Sequence, residues 1–496
     1  MNHDYSIAFT SKIHREAMGH LIRGDGQEDL CFGIWYPSEG QNRTTALLYR
    51  LLLPQTGDRR VHCNASFLPA YFERALGEVV VVGGGLAFLH SHPGPGWQDM
   101  SDDDIWAEQR HAAASQGATG LPLVGLTLGT DGAWSGRFWI KTAPRQYERR
   151  WCSNVRTVGD FFDVTYADSL RPRPRFKEEL RRTVSAWGDD VQAKLARLRI
   201  GIVGAGSVGT IIAEALARSG SSRITLIDFD NVERLNLDRL LHATTATACR
   251  RESKVRSLAQ GIRQSATADG FEVNEINYSV AEEEGYKAAL DCDILFSCVD
   301  RPWGRSVLNF IAYAHLIPVI DGGIRIETSS NKALRRADWK AHTAMPDRRC
   351  LECLCQFDPG LVQAEREGWL DDPEYIKGLP DSHFLKHNEN VIAFSLSVAS
   401  LEVLQMLMMV VAPVGIRNAG QQSYHFVPGI SEEPKFETCS ESCPYPPLTA
   451  KGDRTGLVVT GRHNKAEKAR SHCAKAKPSL MRRVFVKVRN WLDGLK

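Results

Sequence analysis

Residues 198–209 constrain this chain more than any other stretch. A short apolar run, Leu198 to Val203, leads directly into Gly204-Ala205-Gly206-Ser207-Val208-Gly209 and then a helix-like stretch to Arg218. That order reads as a buried strand, a tight turn and a helix. Backbone amides and a helix N-terminus in this arrangement can receive phosphate groups. The alternation continues through Arg223 to Asp228, Lys254 to Gln264, Ile294 to Val299 and Pro318 to Asp321. Strands separated by helix-length segments predict βαβ units and a mainly parallel sheet.

A chain of 496 residues is expected to hold about two to four domains. The expected fold class is α/β. A mixed α+β unit spans residues 1–142, and an Arg-, Pro- and Asp-rich connector spans 143–174. A Rossmann-like unit follows over 175–447, and a basic tail over 448–496. The tail is expected to begin without structure. From Leu480, apolar residues recur at helical spacing, which predicts a basic amphipathic helix. Net charge of +2 gives no reason to expect nucleic acid as a partner. No signal peptide is evident. The apolar run Val391 to Val414 contains Glu402 and Gln405, so a buried helix is expected there rather than a transmembrane segment. Twelve scattered cysteines suggest reduced thiols in the cytoplasm. The close pairs Cys350/Cys353 and Cys439/Cys443 then suggest a metal.

Chemistry concentrates first at His90-Ser91-His92-Pro93. The two histidines alternate at the end of a strand-like run and so share a face. A Gly/Pro loop follows, then Ser101 and the acids Asp102, Asp103 and Asp104 ahead of a helix-like stretch. Two imidazoles and a carboxylate are the ligand set of a catalytic Zn²⁺ with an open fourth position. Zinc brings the pKa of a bound water toward neutrality. The string His-Ser-His-Pro…Ser-x-x-Asp resembles the JAMM (MPN) zinc metallopeptidases. The resemblance implies His90, His92 and Asp104 as ligands, with Asp103 as the alternative to Asp104. It implies Ser101 as the donor to a tetrahedral oxyanion. It also calls for a glutamate general base from an early strand; Glu28 is the candidate, with Asp29 as its rival.

The glycine-rich turn alone suits a dinucleotide-binding fold, with Asp228 on ribose hydroxyls. The continuation Asp228-Phe229-Asp230, Val232, Asn236-Leu237, Arg239 and Lys254 is not required for that. With Asp300, Arg305, Asn309 and Asp321-Gly322-Gly323, it resembles the ThiF/MoeB and ubiquitin-activating adenylyltransferases. By that resemblance Gly204, Gly206, Gly209, Asp228, Asp230 and Asn236 bind ATP. Arg239 and Lys254 hold its phosphates and offset developing charge, and Asp300 binds Mg²⁺. Arg181 or Arg182 is the candidate for an additional arginine. The four paired cysteines fall where the family holds a structural Zn²⁺. Cys355 remains open between a spare ligand and a thioester nucleophile.

Together the two resemblances imply a bacterial ubiquitin-like modification enzyme. One half would adenylate the C-terminal glycine of a ubiquitin-like protein, and the other would process or detach that protein. Implied partners are a ubiquitin-like or sulfur-carrier protein ending in Gly, a conjugating enzyme, and a second copy through the adenylyltransferase unit. Sulfur transfer toward thiamin, molybdopterin or cysteine is the alternative outcome. A non-catalytic modifier-binding scaffold is the alternative from another class, and intact ligands argue against it.

Overall fold

The computed structural model describes residues 3–475, apart from 63, 330, 381–385, 387 and 388. The expected amphipathic helix from Leu480 lies outside the described residues. Two large sheets organise the chain. The first has nine strands, in the spatial order Phe162–Tyr166, Asn154–Val158, Asp4–Thr10, Arg43–Leu52, Leu30–Glu39, Gly85–Ser91, Leu123–Leu128, Trp134–Ala143 and Gln146–Trp151. Helices Ser11–Leu21, Pro69–Val82 and Asp102–Thr119 accompany it, giving the expected mixed α+β unit.

Residues 143–174 are not a connector as expected. Residues 146–166 supply three strands of the first sheet, and Asn154–Val158 pairs in parallel with Asp4–Thr10. The polar composition misleads because the strands place Arg156 in a buried ion pair while most of the other charges stay at the surface. Arg156 is fully buried and donates to Asp293 at 2.6 Å.

In the second sheet, five parallel strands run in the order Glu272–Ile276, Arg223–Ile227, Arg199–Val203, Ile294–Ser297, Val319–Thr328. Leu334–Ala344, Gln422–His425 and Ile430–Ser431 extend it antiparallel. The chain order reverses between Arg199–Val203 and Ile294–Ser297, the crossing point where open α/β sheets bind ligands. Helix Ile392–Val411 is the one described helix long and apolar enough to cross a membrane. Here it packs on the second sheet and on helix Ser207–Arg218, with Glu402 and Gln405 buried.

The two units share one core. Ala8, Leu47, Val158, Phe162 and Val164 of the first pack with Ile200, Leu226, Ile294 and Phe296 of the second. Polar groups close the same seam. The Asp293 carboxylate accepts from Arg43 and Arg156, each at 2.6 Å, and from the Arg199 amide at 3.0 Å.

The start of the tail is also ordered, against expectation. Asp453 accepts from the Glu39 amide at 2.9 Å, and Arg454 donates to the Gly83 carbonyl. Gly461 donates to Ala281 at 2.8 Å, and helix Asn464–Lys475 follows. A polar segment stays in place where its backbone and charged groups find partners on both units.

Candidate functional site

A cleft of about 2090 Å³ opens at the crossing point. Its floor is the glycine turn. Gly204 has φ of 101°, and a Cβ there would lie 2.3 Å from the Cys298 carbonyl oxygen. Gly209 lies so close to Gly204 that a Cβ would fall 1.9 Å from the Gly204 oxygen. Gly206 differs: a Cβ there would meet nothing within 4 Å. Gly206 is also the N-cap of helix Ser207–Arg218, with no side-chain cap. The first amides of that helix are therefore left for a ligand in the cleft.

Strand Arg223–Ile227 delivers Asp228. Its carboxylate accepts from the amides of Ala205 and Asp230, each at 2.7 Å, which ties it to the turn. Burial raises its pKa, against the pull of Lys254. Lys254 begins helix Lys254–Ser265; its amide donates to the Asp230 carbonyl and its Nζ to Asp230 Oδ2, both at 2.9 Å. Asp300 follows strand Ile294–Ser297 and is exposed on the cleft wall. Asn236 and Arg239 line the same cleft. At present they serve their own turn: Asn236 Oδ1 accepts from Glu233, and Arg239 donates to Leu235 and Asp238. Arg305 holds Asp321 at 3.0 Å and the Gly322 carbonyl at 3.1 Å.

Other expected residues lie elsewhere. Asn309 is buried, and its side-chain oxygen accepts from the Leu351 amide, steadying the cysteine loop. Arg181 and Arg182 are exposed at the start of helix Arg181–Arg197, outside the cleft lining. Cys355 is exposed, lines the cleft and stands apart from the other thiols. Sequence reasoning missed Arg301, Glu365, His463 and Lys465, which also line the cleft. Burial pushes Glu365 up to about 7, against its hydrogen bond from the Trp303 amide at 2.8 Å. Arg301 adjoins Asp300 and was legible by that adjacency; the tail residues carried no such signal.

The sulfurs of Cys350, Cys353, Cys439 and Cys443 lie within 4.8 Å of one another. The Cys350 and Cys443 sulfurs are 3.6 Å apart, close to the separation of about 3.8 Å that tetrahedral zinc–sulfur bonds of 2.3 Å impose. Amides of Cys350 and Cys353 donate to Cys439 and Cys350, at 3.2 and 3.3 Å. Hydrogen bonds from Cys350 lower Cys439 to about 5, against burial. Four thiols bridged by amide donors fit a structural zinc ion.

On the first sheet, His90 is the penultimate residue of strand Gly85–Ser91, in register with Leu30 and Thr127. Its Nε2 lies 3.2 Å from His92 Nε2 and 3.3 Å from Asp104 Oδ1. His92 Nε2 lies 3.1 Å from Asp104 Oδ2. Asp104, not Asp103, is the carboxylate against both rings. Ser101 caps helix Asp102–Thr119; its hydroxyl donates to Asp104 Oδ2 at 2.8 Å and accepts from the Asp104 amide at 3.2 Å. Glu28 lies two residues before strand Leu30–Glu39, near His92 and His90. Burial raises its pKa, and His92 and His90 oppose the rise. Asp29 is occupied elsewhere, by Arg59 at 2.8 Å and Arg23 at 3.3 Å. Two imidazoles and one carboxylate converging at a half-buried edge fit zinc with an open position.

The model of the ThiF family matches residues 179–437. The chain is similar to tRNA threonylcarbamoyladenosine dehydratase 2 of Saccharomyces cerevisiae, 28% identical over 206 residues, 41% of this chain and 44% of that protein. It is 31% identical over 140 residues to adenylyltransferase and sulfurtransferase UBA4 of Meyerozyma guilliermondii, covering 27% and 31% of the two. With the SAMP-activating enzyme E1 of Haloferax volcanii it shares 24% over 178 residues, 35% and 60% of the two. The matches span less than two thirds of these relatives' lengths. Among solved structures, Escherichia coli MccB with ATP is similar at TM-score 0.41 and 16% identity, covering 54% of this chain and 74% of that one.

Proposed function

We propose, from the premise that this chain belongs to the ThiF family, that it adenylates the C-terminal glycine of a ubiquitin-like protein and hydrolyses the bond beyond that glycine. The observation that carries the first half is the cleft at the sheet's crossing point. It gathers Gly204, Gly206, Asp228, Lys254 and Asp300 around an uncapped helix N-terminus.

In the adenylation step a carboxylate oxygen of the terminal glycine attacks the α-phosphorus of ATP. The new P–O bond forms as the bond to the β-phosphate breaks and pyrophosphate leaves. Asp228 holds the ribose, and Gly206 with the amides after it receives phosphate. Lys254 and Arg239 offset the negative charge that builds as pyrophosphate departs. Asp300 would hold a magnesium ion, which when bound would supply further neutralisation. A cytoplasmic setting suits the free thiols, and a second copy or a conjugating enzyme would complete the pathway.

For the hydrolytic half, the supporting observation is the convergence of His90, His92 and Asp104 beside Glu28. Those three would hold a zinc ion, which when bound would supply a water of lowered pKa. Glu28 would take a proton from the attacking water as its oxygen bonds to the glycine carbonyl carbon, and would deliver it to the amine as the C–N bond breaks. The Ser101 hydroxyl, turned away from Asp104, would donate to the oxyanion. The similarity to an adenylyltransferase and sulfurtransferase supports a second outcome, in which the activated glycine receives sulfur.

ATP–pyrophosphate exchange, stimulated by a small ubiquitin-like protein ending in glycine, tests adenylation. Asp300→Ala should reduce exchange at least about 100-fold, roughly 2.7 kcal/mol; undiminished exchange contradicts the assignment. Hydrolysis is tested with the same protein carrying a C-terminal extension. Chelation of zinc and Glu28→Ala should each slow cleavage about 100-fold or more, and full activity in Glu28→Ala removes Glu28 as the base. A thioester with the modifier that Cys355→Ala abolishes would favour conjugation over sulfur transfer.

A further inference from the structure

The tail was expected to begin without structure, yet its residues His463 and Lys465 line the cleft. The Trp303 ring nitrogen donates to the Val459 carbonyl at 3.0 Å, and the Gly461 amide to Ala281 at 2.8 Å. Further along, Asn231 donates to the Ala469 carbonyl at 3.0 Å. Arg470 forks onto Glu282 at 2.6 and 2.8 Å and lies over the Tyr278 ring. These contacts pin both ends of a short segment against the loops that follow the parallel strands.

Between the pins lies His463. It is 6% exposed, lines the cleft, and neither ring nitrogen has a hydrogen-bond partner. Its ring packs edge-on against Phe229, centroids 4.8 Å apart, and against Trp303 at 5.4 Å. Phe229 directly follows Asp228 in the chain, and both line the cleft together with His463. Lys465, two residues on, lines the cleft near Asp230 and the Phe229 ring. A buried imidazole with two unused nitrogens is costly unless something hydrogen-bonds to it.

We propose that the segment around residues 459–470 is a wall of the ATP site and that His463 contacts the nucleoside portion of bound ATP. This rests on the adenylation reading above. Burial lowers the imidazole's pKa, with Lys465 and Arg301 adding to the effect against Glu282 and Asp371, so the ring enters this contact neutral. A neutral ring offers one N–H and one lone-pair nitrogen, which suits a ribose hydroxyl or a base edge rather than phosphate.

Titration of the full chain with ATP and with inorganic tripolyphosphate tests this. His463→Phe keeps the ring between Phe229 and Trp303 but removes both nitrogens. It should weaken ATP about tenfold, leave tripolyphosphate affinity and Tm unchanged, and regain part of the loss in His463→Gln. Wild-type ATP affinity in His463→Phe overturns the proposal. So does equal weakening of ATP and tripolyphosphate, which marks deformation of the pocket. If the unaltered chain binds tripolyphosphate and ATP no differently, the nucleoside contact fails. If it binds neither, the adenylation reading itself falls.

Discussion

Asp293 holds two guanidiniums that no other described carboxylate reaches so closely. Arg43 and Arg156 each lie 2.6 Å from one of its oxygens, all three side chains fully buried. The pair holds Asp293 well below the usual carboxylate range, against burial, while burial and Arg43 bring Arg156 down to about 10. A depressed carboxylate stabilises the fold above its unfolded pKa of about 3.9, and that contribution is lost as pH falls below it. Asp293→Asn keeps the volume and leaves two uncompensated buried cations. We expect a loss of about 3–5 kcal/mol in denaturant unfolding; a change under about 1 kcal/mol would contradict the role. Nothing in the sequence marks Asp293. It reads as an ordinary acid before an apolar strand, since its partners come from distant positions. The Glu28–Asp29 ambiguity is instructive in the same way. Adjacent acids are equivalent in sequence, and only the placement of Arg59 and Arg23 assigns Asp29 to structure.

Within the strand–turn–helix, the glycines have separate duties although the motif treats them alike. Gly209 is a packing glycine, because a Cβ would collide with the Gly204 carbonyl. Gly206 faces open cleft and has an ordinary φ of −84°. Gly209→Ala should therefore lower stability by about 1–3 kcal/mol, seen as a fall in Tm. Gly206→Ala should leave Tm unchanged and weaken ATP about tenfold by filling space meant for phosphate. The reverse pattern would show the loop to be misassigned. This element was legible from its sequence because its glycine spacing lies within one short stretch, although packing partners such as Cys298 are distant. Strand Asn154–Val158 was not: its neighbours are Asp4–Thr10 and Phe162–Tyr166, and its arginine bonds to the other unit.

At the scale of the molecule, the sequence divides more readily than the structure does. Composition separated residues 143–174 and 448–496 as polar segments, and both are woven into the fold over most of their described length. Polarity predicts exposure only where charges lack partners, and here Arg156, Asp453 and Arg470 find theirs across the seam or beside the cleft. The two clusters of possible metal ligands were readable because each uses close pairs from one or two segments. The wall contributed by His463 was not, since its neighbours Phe229 and Trp303 are far upstream.

The buried arginines also bear on how the chain is made. Arg43 and Arg156 leave the ribosome 250 and 137 residues before Asp293 does. At about 5–20 residues per second, Arg156 waits on the order of ten seconds for its carboxylate. During that interval the nascent first sheet carries two cations on a face that cannot yet be sealed from water. Translation of the second unit thus acts as a timer, and the first becomes a finished surface only when its successor emerges.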